Sequence, residues 1–123
     1  MEENVDIEIN HRQDSAVVVF KSSQVCSADG IADAGGRVLD YIENNKPKLV
    51  IVDFEKVKFF SSQVLGLLLN IRSRLKENGG ELLISSINPQ LYRVFKITNL
   101  DKIFQFFPDR DSAIKSAAGG QIK

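Results

Sequence analysis

Cysteine and histidine are almost absent: Cys26 and His11 stand alone in 123 residues. One cysteine excludes an internal disulfide, and one cysteine with one histidine cannot make a zinc site. Charge of either sign is not in excess, because sixteen Lys and Arg balance sixteen Asp and Glu. With no net field to draw nucleic acid or anionic lipid, neither is expected as a partner. Long apolar runs are missing too. The stretch Val64 to Leu69 falls far short of the roughly 20 residues that span a bilayer, so no direct membrane insertion is expected. The acidic opening MEENVDIEIN has no apolar segment of the kind that directs secretion. A reducing, cytoplasmic setting is the expectation.

What is present is an ordinary soluble mixture, 43% hydrophobic and 26% charged, over a length that suits one core. Val5 to Asn10 alternates apolar and polar residues, and Ala16 to Lys21 is rich in β-branched ones; with the polar turn between them they predict a hairpin. Ser27 is a candidate cap for a helix running to about Asn44, with Ile31, Ala34, Val38 and Ile42 on one side. Gly35 and Gly36 lie inside that helix at a cost of about 1 kcal/mol each relative to alanine. Lys48 to Phe54 is nearly all apolar, as expected of a strand buried on both faces. A second helix is predicted from about Ser62 to Asn78, stopped by Gly79-Gly80, and Glu81 to Ser86 reads as a strand. Asn88-Pro89 opens a third helix with Leu91, Val94 and Phe95 inward. Ile103 to Phe107 is a last strand, and Asp109 or Asp111 caps a final helix that ends at Gly119-Gly120, leaving Gln121 to Lys123 as a tail. Strands alternating with helices after a hairpin predict one α/β domain with a mixed, mostly parallel sheet and about four helices. Its core is expected over about residues 5–117, and the aromatic set, Phe59 included, is assigned mainly to that core.

The stretch KFFSSQVLG, Lys58 to Gly66, places two serines where the second helix begins. At about 100° per residue, Val64, Leu67, Leu68, Ile71 and Leu75 share the core stripe of this helix. Ser62, Gly66, Leu69 and Ser73 fall on the opposite side, with Leu65 on its border. A solvent face would carry Glu, Lys or Arg; this one offers a hydroxyl, a bare glycine and a leucine, and reads as a surface for a partner. The plainer reading gives the serines no task beyond capping the helix, since serine is among the best N-caps. A phosphoryl group at this spot would suit the helix amino terminus and add roughly −1.5 to −2 charges to a small apolar surface.

The run VIVDFEKVKFFSSQVLGLLLNIRSRLKENGGELLISSINPQLYRVFKITNLDKIF resembles the STAS domain of bacterial anti-sigma factor antagonists. The shared features come in order: an apolar strand ending in Asp53, the approach Val57-x-Phe59-Phe60, a serine at the helix start, Leu65-Gly66 and Leu67-Leu68-Leu69, Gly79-Gly80, the strand Leu82 to Ser85, and Asn88-Pro89. The resemblance implies a non-enzymatic regulator without cofactor or metal that binds an anti-sigma factor acting as a serine kinase. It implies that phosphorylation at Ser62, with Ser61 as second choice, ends the interaction and that a phosphatase restores it. Ser61, Ser62, Gln63, Leu65, Gly66, Leu69, Ser73 and Cys26 are the implied partner-binding residues, and a homodimer is compatible with the family. The family pattern Asp-Ser-Ser/Thr-Gly-Leu-Gly is here Ser61-Ser62-Gln63-Val64-Leu65-Gly66, and a second family aspartate before the first helix is replaced by Cys26. The alternative left open is a STAS scaffold subunit of a signalling assembly, or a transporter-associated STAS partner, without phosphoregulation. Asp53 is read as structural or loop-bracing, His11 as solvated, and Cys26 as a small half-buried side chain.

Overall fold

The strands Ile7–Arg12 (β1) and Ser15–Phe20 (β2) pair antiparallel from Ile7↔Phe20 to Arg12↔Ser15, turning through Gln13 at φ 47°. They open a computed structural model that describes residues 5–122, with side chains to residue 116. After β2 the chain passes through Gln24–Val25 (β3), the helix Ala28–Asn45 (α1) and the strand Leu49–Asp53 (β4). Phe59–Phe60 (β5) and the helix Gln63–Glu77 (α2) lead to Glu81–Ser85 (β6); the helix Pro89–Ile97 (α3), a 3-10 turn at Leu100–Lys102 and Gln105–Phe107 (β7) follow. Arg110–Ile122 (α4) closes the order.

Five strands form one sheet in the order β1-β2-β4-β6-β7, parallel from β2 onward. Every crossover steps the same way across this sheet. Right-handed connections therefore put α1, α2 and α3 on one face. There they cover Val18, Phe20, Val50, Val52, Leu82 and Ile84, while α4 brings Ala113 and Ile114 to Val17, Val19, Ile51 and Leu83 on the other face. All five residues of β4 are buried, because both faces of the central strand are covered. Phe95 is fully buried and meets Phe60, Phe104 and Phe106 edge to face at 6.0, 5.9 and 5.0 Å.

The helix punctuation follows local chemistry. Ser27 Oγ accepts from Gly30 N–H at 3.1 Å, and Asn88 Oδ1 accepts from Leu91 N–H at 2.8 Å. Asp109 takes the last cap, accepting from Ser112 N–H at 2.7 Å, and that bond holds its carboxyl below the usual range. At the end of α2, Gly80 N–H donates to Leu75 C=O and Gly79 N–H to Lys76 C=O, with Gly79 at φ 76°. The left-handed residue there is a glycine because a Cβ would be strained.

Several expectations need correction. Phe59 is not core: it is 56% exposed, while its neighbour Phe60 points inward, as alternation along a strand requires. The last strand begins at Gln105 rather than Ile103, since the 3-10 turn occupies the chain before it. The final helix runs through Gly119 and Gly120 to Ile122, because a glycine lowers helix stability without forbidding the conformation; Lys123 lies outside the described residues. His11, by contrast, is exposed as expected, and its Nδ1 hydrogen-bonds the Tyr41 hydroxyl. Among the described residues no helix is long and apolar enough to cross a membrane.

Candidate functional site

Two residues per strand make up the small ribbon β3-β5, with Gln24↔Phe59 and Val25↔Phe60 in parallel register. Being parallel, its strands leave at the same end and feed the amino termini of α1 and α2 side by side. Two links hold this junction: Ser61 N–H donates to Val25 C=O at 3.0 Å, and Gln63 Nε2 donates to Ala28 C=O at 3.2 Å. Cys26 and Ser61 are thereby the first residues past the paired strands, both half-buried.

Neither serine hydroxyl caps α2. Ser62 occupies the N-cap position in helical conformation, φ −62° and ψ −16°, and its side chain makes no capping bond. The helix start is closed instead by backbone, with Val64 N–H on Ser61 C=O and Leu65 N–H on Ser62 C=O, both at 3.0 Å. Ser61 Oγ is buried and has no hydrogen-bond partner among the described residues. The two hydroxyls differ in access, since Ser62 is exposed. No acidic residue lies in the first turn, so the positive end of the α2 dipole is not offset from within the helix.

Ser62, Gln63, Gly66, Leu69 and Ser73 are all exposed, as the helical spacing places them. Three predicted site residues are not exposed: Ser61 and Cys26 are half-buried, and Leu65 is 7% exposed and belongs to the core. α2 packs on the sheet and also against α1, where Gly35 lies under Leu67; the buried arc is therefore wider than one stripe and reaches Leu65, while Leu67 is half-buried. Two residues outside the sequence prediction share the exposed surface. Asn70 lies on the outward face of α2, and Phe59 presents its ring from β5. Stepping about 100° per residue would have found Asn70, but Phe59 needed the recognition of a two-residue strand. Ser62, Gln63, Gly66, Leu69, Asn70 and Ser73 are uncharged, with the half-buried Arg72 at the border of this face, a composition that favours the core of a protein interface.

Gly66 makes a separate test. A Cβ built there meets nothing within 4 Å, so the fold does not require glycine at this position. Gly66→Ala should raise the unfolding free energy by up to about 1 kcal/mol, and the melting temperature by about 4 °C. Calorimetry checks this; a loss of stability would mean that space above Gly66 is filled.

A second polar cluster lies at the carboxyl end of β4. Asp53 is 1% exposed, and its Oδ1 accepts from Glu55 N–H at 2.8 Å. Its Oδ2 accepts from Ser85 Oγ at 3.1 Å, Ser86 Oγ at 3.3 Å and Arg110 Nε at 2.9 Å. The bond to Asp53 holds the Arg110 guanidinium above its ordinary pKa. This carboxylate ties β4, the β6–α3 turn and the start of α4 together beneath an open depression of about 580 Å³. Among the described residues no group of three His, Cys, Asp or Glu side chains is placed to hold a metal ion.

A Thermotoga neapolitana protein named as an anti-sigma factor antagonist homolog is 35% identical over 75 residues, 61% of this chain and 64% of that one. A Thermotoga maritima relative is similarly matched over 60% of its length, so the chain spans less than two thirds of either. Among solved structures, a STAS domain protein from Planctomyces limnophilus superposes with a TM-score of 0.80 at 22% identity, covering 93% of this chain and 98% of that one. The unphosphorylated anti-sigma factor antagonist SpoIIAA superposes with a TM-score of 0.82 at 16% identity, covering 93% and 97%. At these identities the superpositions speak for the fold, and that fold is the one assembled above from strand order and crossovers. The STAS domain family matches residues 8–113, from β1 into α4, and the chain belongs to that family.

Proposed function

We propose that this chain is a non-enzymatic regulatory domain of the anti-sigma factor antagonist type. It docks on an anti-sigma factor that is also a serine kinase, through the outward face of α2, and phosphorylation of Ser62 ends the contact. The observation that carries this reading is the state of Ser62: an exposed hydroxyl at a helix start, not spent on capping, beside an uncharged strip of Gly66, Leu69 and Ser73. Ser61 is the poorer acceptor because its Oγ is buried.

The physics of the switch is electrostatic. A phosphoryl group at Ser62 brings roughly −1.5 to −2 charges to a strip whose exposed residues Gly66, Leu69 and Ser73 carry none. The positive end of the α2 dipole stabilises that anion within the domain, so the fold survives modification. A partner seated on the strip must desolvate the new charge and is released. Dephosphorylation by a phosphatase restores the neutral surface. The serine and cysteine at Ser61 and Cys26, where the family has aspartates, leave this surface neutral before modification.

Incubation with the cognate kinase and ATP should add one phosphate, and peptide mass spectrometry should place it on Ser62. Ser62→Ala should abolish the incorporation while partner binding persists. Incorporation that persists in Ser62→Ala, or none in the parent chain, would remove the switch.

A further inference from the structure

The outer face of α3 carries a feature that the α2 surface does not account for. Pro89, Tyr92, Arg93, Lys96 and Ile97 line an open groove of about 420 Å³ with largely apolar walls. Ile97 is 73% exposed, the most exposed of the large apolar side chains among the described residues. Nothing in the fold asks for it, since Leu91 and Phe95 are the buried residues of α3. Tyr92 is fixed from behind by an edge-to-face contact with Phe106 at 4.9 Å, which gives the groove a rigid aromatic wall.

The two charged residues that line this groove, Arg93 and Lys96, are both cationic. From Pro89 to Ile103 the chain has Arg93, Lys96 and Lys102 against Asp101 alone, in a molecule whose total charge is zero. Arg93 and Lys96, like most lysines and arginines among the described residues, take part in no ion pair; only Lys21, Arg74 and Arg110 do. Unpaired cations beside an exposed apolar trough call for an occupant with both carboxylates and an apolar anchor. Two or three cations fall short of the clusters of about 4–8 by which polybasic segments hold anionic lipid, so the match is to a protein segment.

We propose that the outer face of α3 is a second docking site, taking an acidic amphipathic segment of a partner protein. An apolar side chain of that segment seats between Pro89, Tyr92 and Ile97, and its carboxylates pair with Arg93 and Lys96. Helix-in-groove recognition supplies the pattern: apolar anchors give affinity and flanking charge gives orientation and rate. The site is independent of Ser62, so a second segment or subunit could be held there in either state of the α2 switch.

The test uses fluorescein-labelled synthetic peptides of Glu and Leu with leucines at helical spacing, a Lys and Leu counterpart, and an all-Glu control, read by anisotropy against the full chain. The Glu and Leu peptide should bind saturably. Raising salt from about 50 to about 300 mM should weaken it severalfold, since exposed charges are screened. Arg93→Glu combined with Lys96→Glu, and Ile97→Ser separately, should each weaken binding at least about tenfold. Amide shifts of the parent protein should move from Tyr92 to Ile97, a readout that does not depend on any variant folding. Ser62→Asp should bind the peptide as the parent does, which separates this site from the proposed switch. No saturable binding, equal binding of the Lys and Leu or all-Glu peptide, or unchanged binding by the variants would overturn the proposal. So would capture of phosphatidylserine vesicles in place of peptide, or self-association that Ile97→Ser abolishes, because the occupant would then be a membrane or a second copy.

Discussion

Asp53→Ala should lower the unfolding free energy by about 3 kcal/mol and the melting temperature by about 12 °C. The carboxylate is 1% exposed and accepts four hydrogen bonds from three separate segments. Removing it strands the fully buried Ser85 hydroxyl, at about 1 kcal/mol or more, and takes the acceptor from the part-buried Glu55 N–H. Arg110 loses less, because its side chain is 38% exposed and can turn to water. The remainder comes from the void left by the side chain. Asp53→Asn keeps an acceptor for Glu55 N–H but turns a neutral amide toward Arg110, and should cost about half as much. Guanidinium unfolding checks both, and an Asp53→Ala protein within about 1 kcal/mol of the parent would overturn the bracing role.

Leu69→Asp should weaken binding to the proposed partner, an anti-sigma factor kinase, by about 100-fold while moving the melting temperature by no more than about 2 °C. Leu69 is 37% exposed on the uncharged strip, so an aspartate there is solvated in the free protein. In the complex the same carboxylate must be stripped of water against an apolar contact, and about 2.7 kcal/mol of that penalty is a 100-fold loss. Leu68→Asp, one residue earlier and fully buried, should instead unfold the domain. Isothermal titration beside thermal melts separates the two, and a Leu69→Asp protein that binds normally would move the docking surface off this face.

The legibility of the fold tracks the length of its patterns. The four apolar residues of β4 that precede Asp53, the stripe Ile31, Ala34, Val38 and Ile42 of α1, and the caps Ser27 and Asn88 were read correctly because each is a local signal. The ribbon β3-β5 was not, since two residues are too few to show a period. Phe59 was misplaced with it. Ser62, Gly66, Leu69 and Ser73 were legible as an outward face, whereas Leu65 was not: whether a border residue is buried depends on the neighbouring helix, and the approach of α1 at Gly35 is a tertiary contact.

Sequence alone determined the α/β alternation, the helix boundaries within a few residues, and the uncharged surface of α2, because propensity, capping and periodicity act within about a turn or a strand. Tertiary structure alone decided that Ser61 points inward and Ser62 outward, that Asp53 gathers Ser85, Ser86 and Arg110, and that Ile97 stands beside two unpaired cations. Asp53 and Arg110 are 57 residues apart along the chain. No local preference spans that separation; only the order of strands in the sheet brings such groups together.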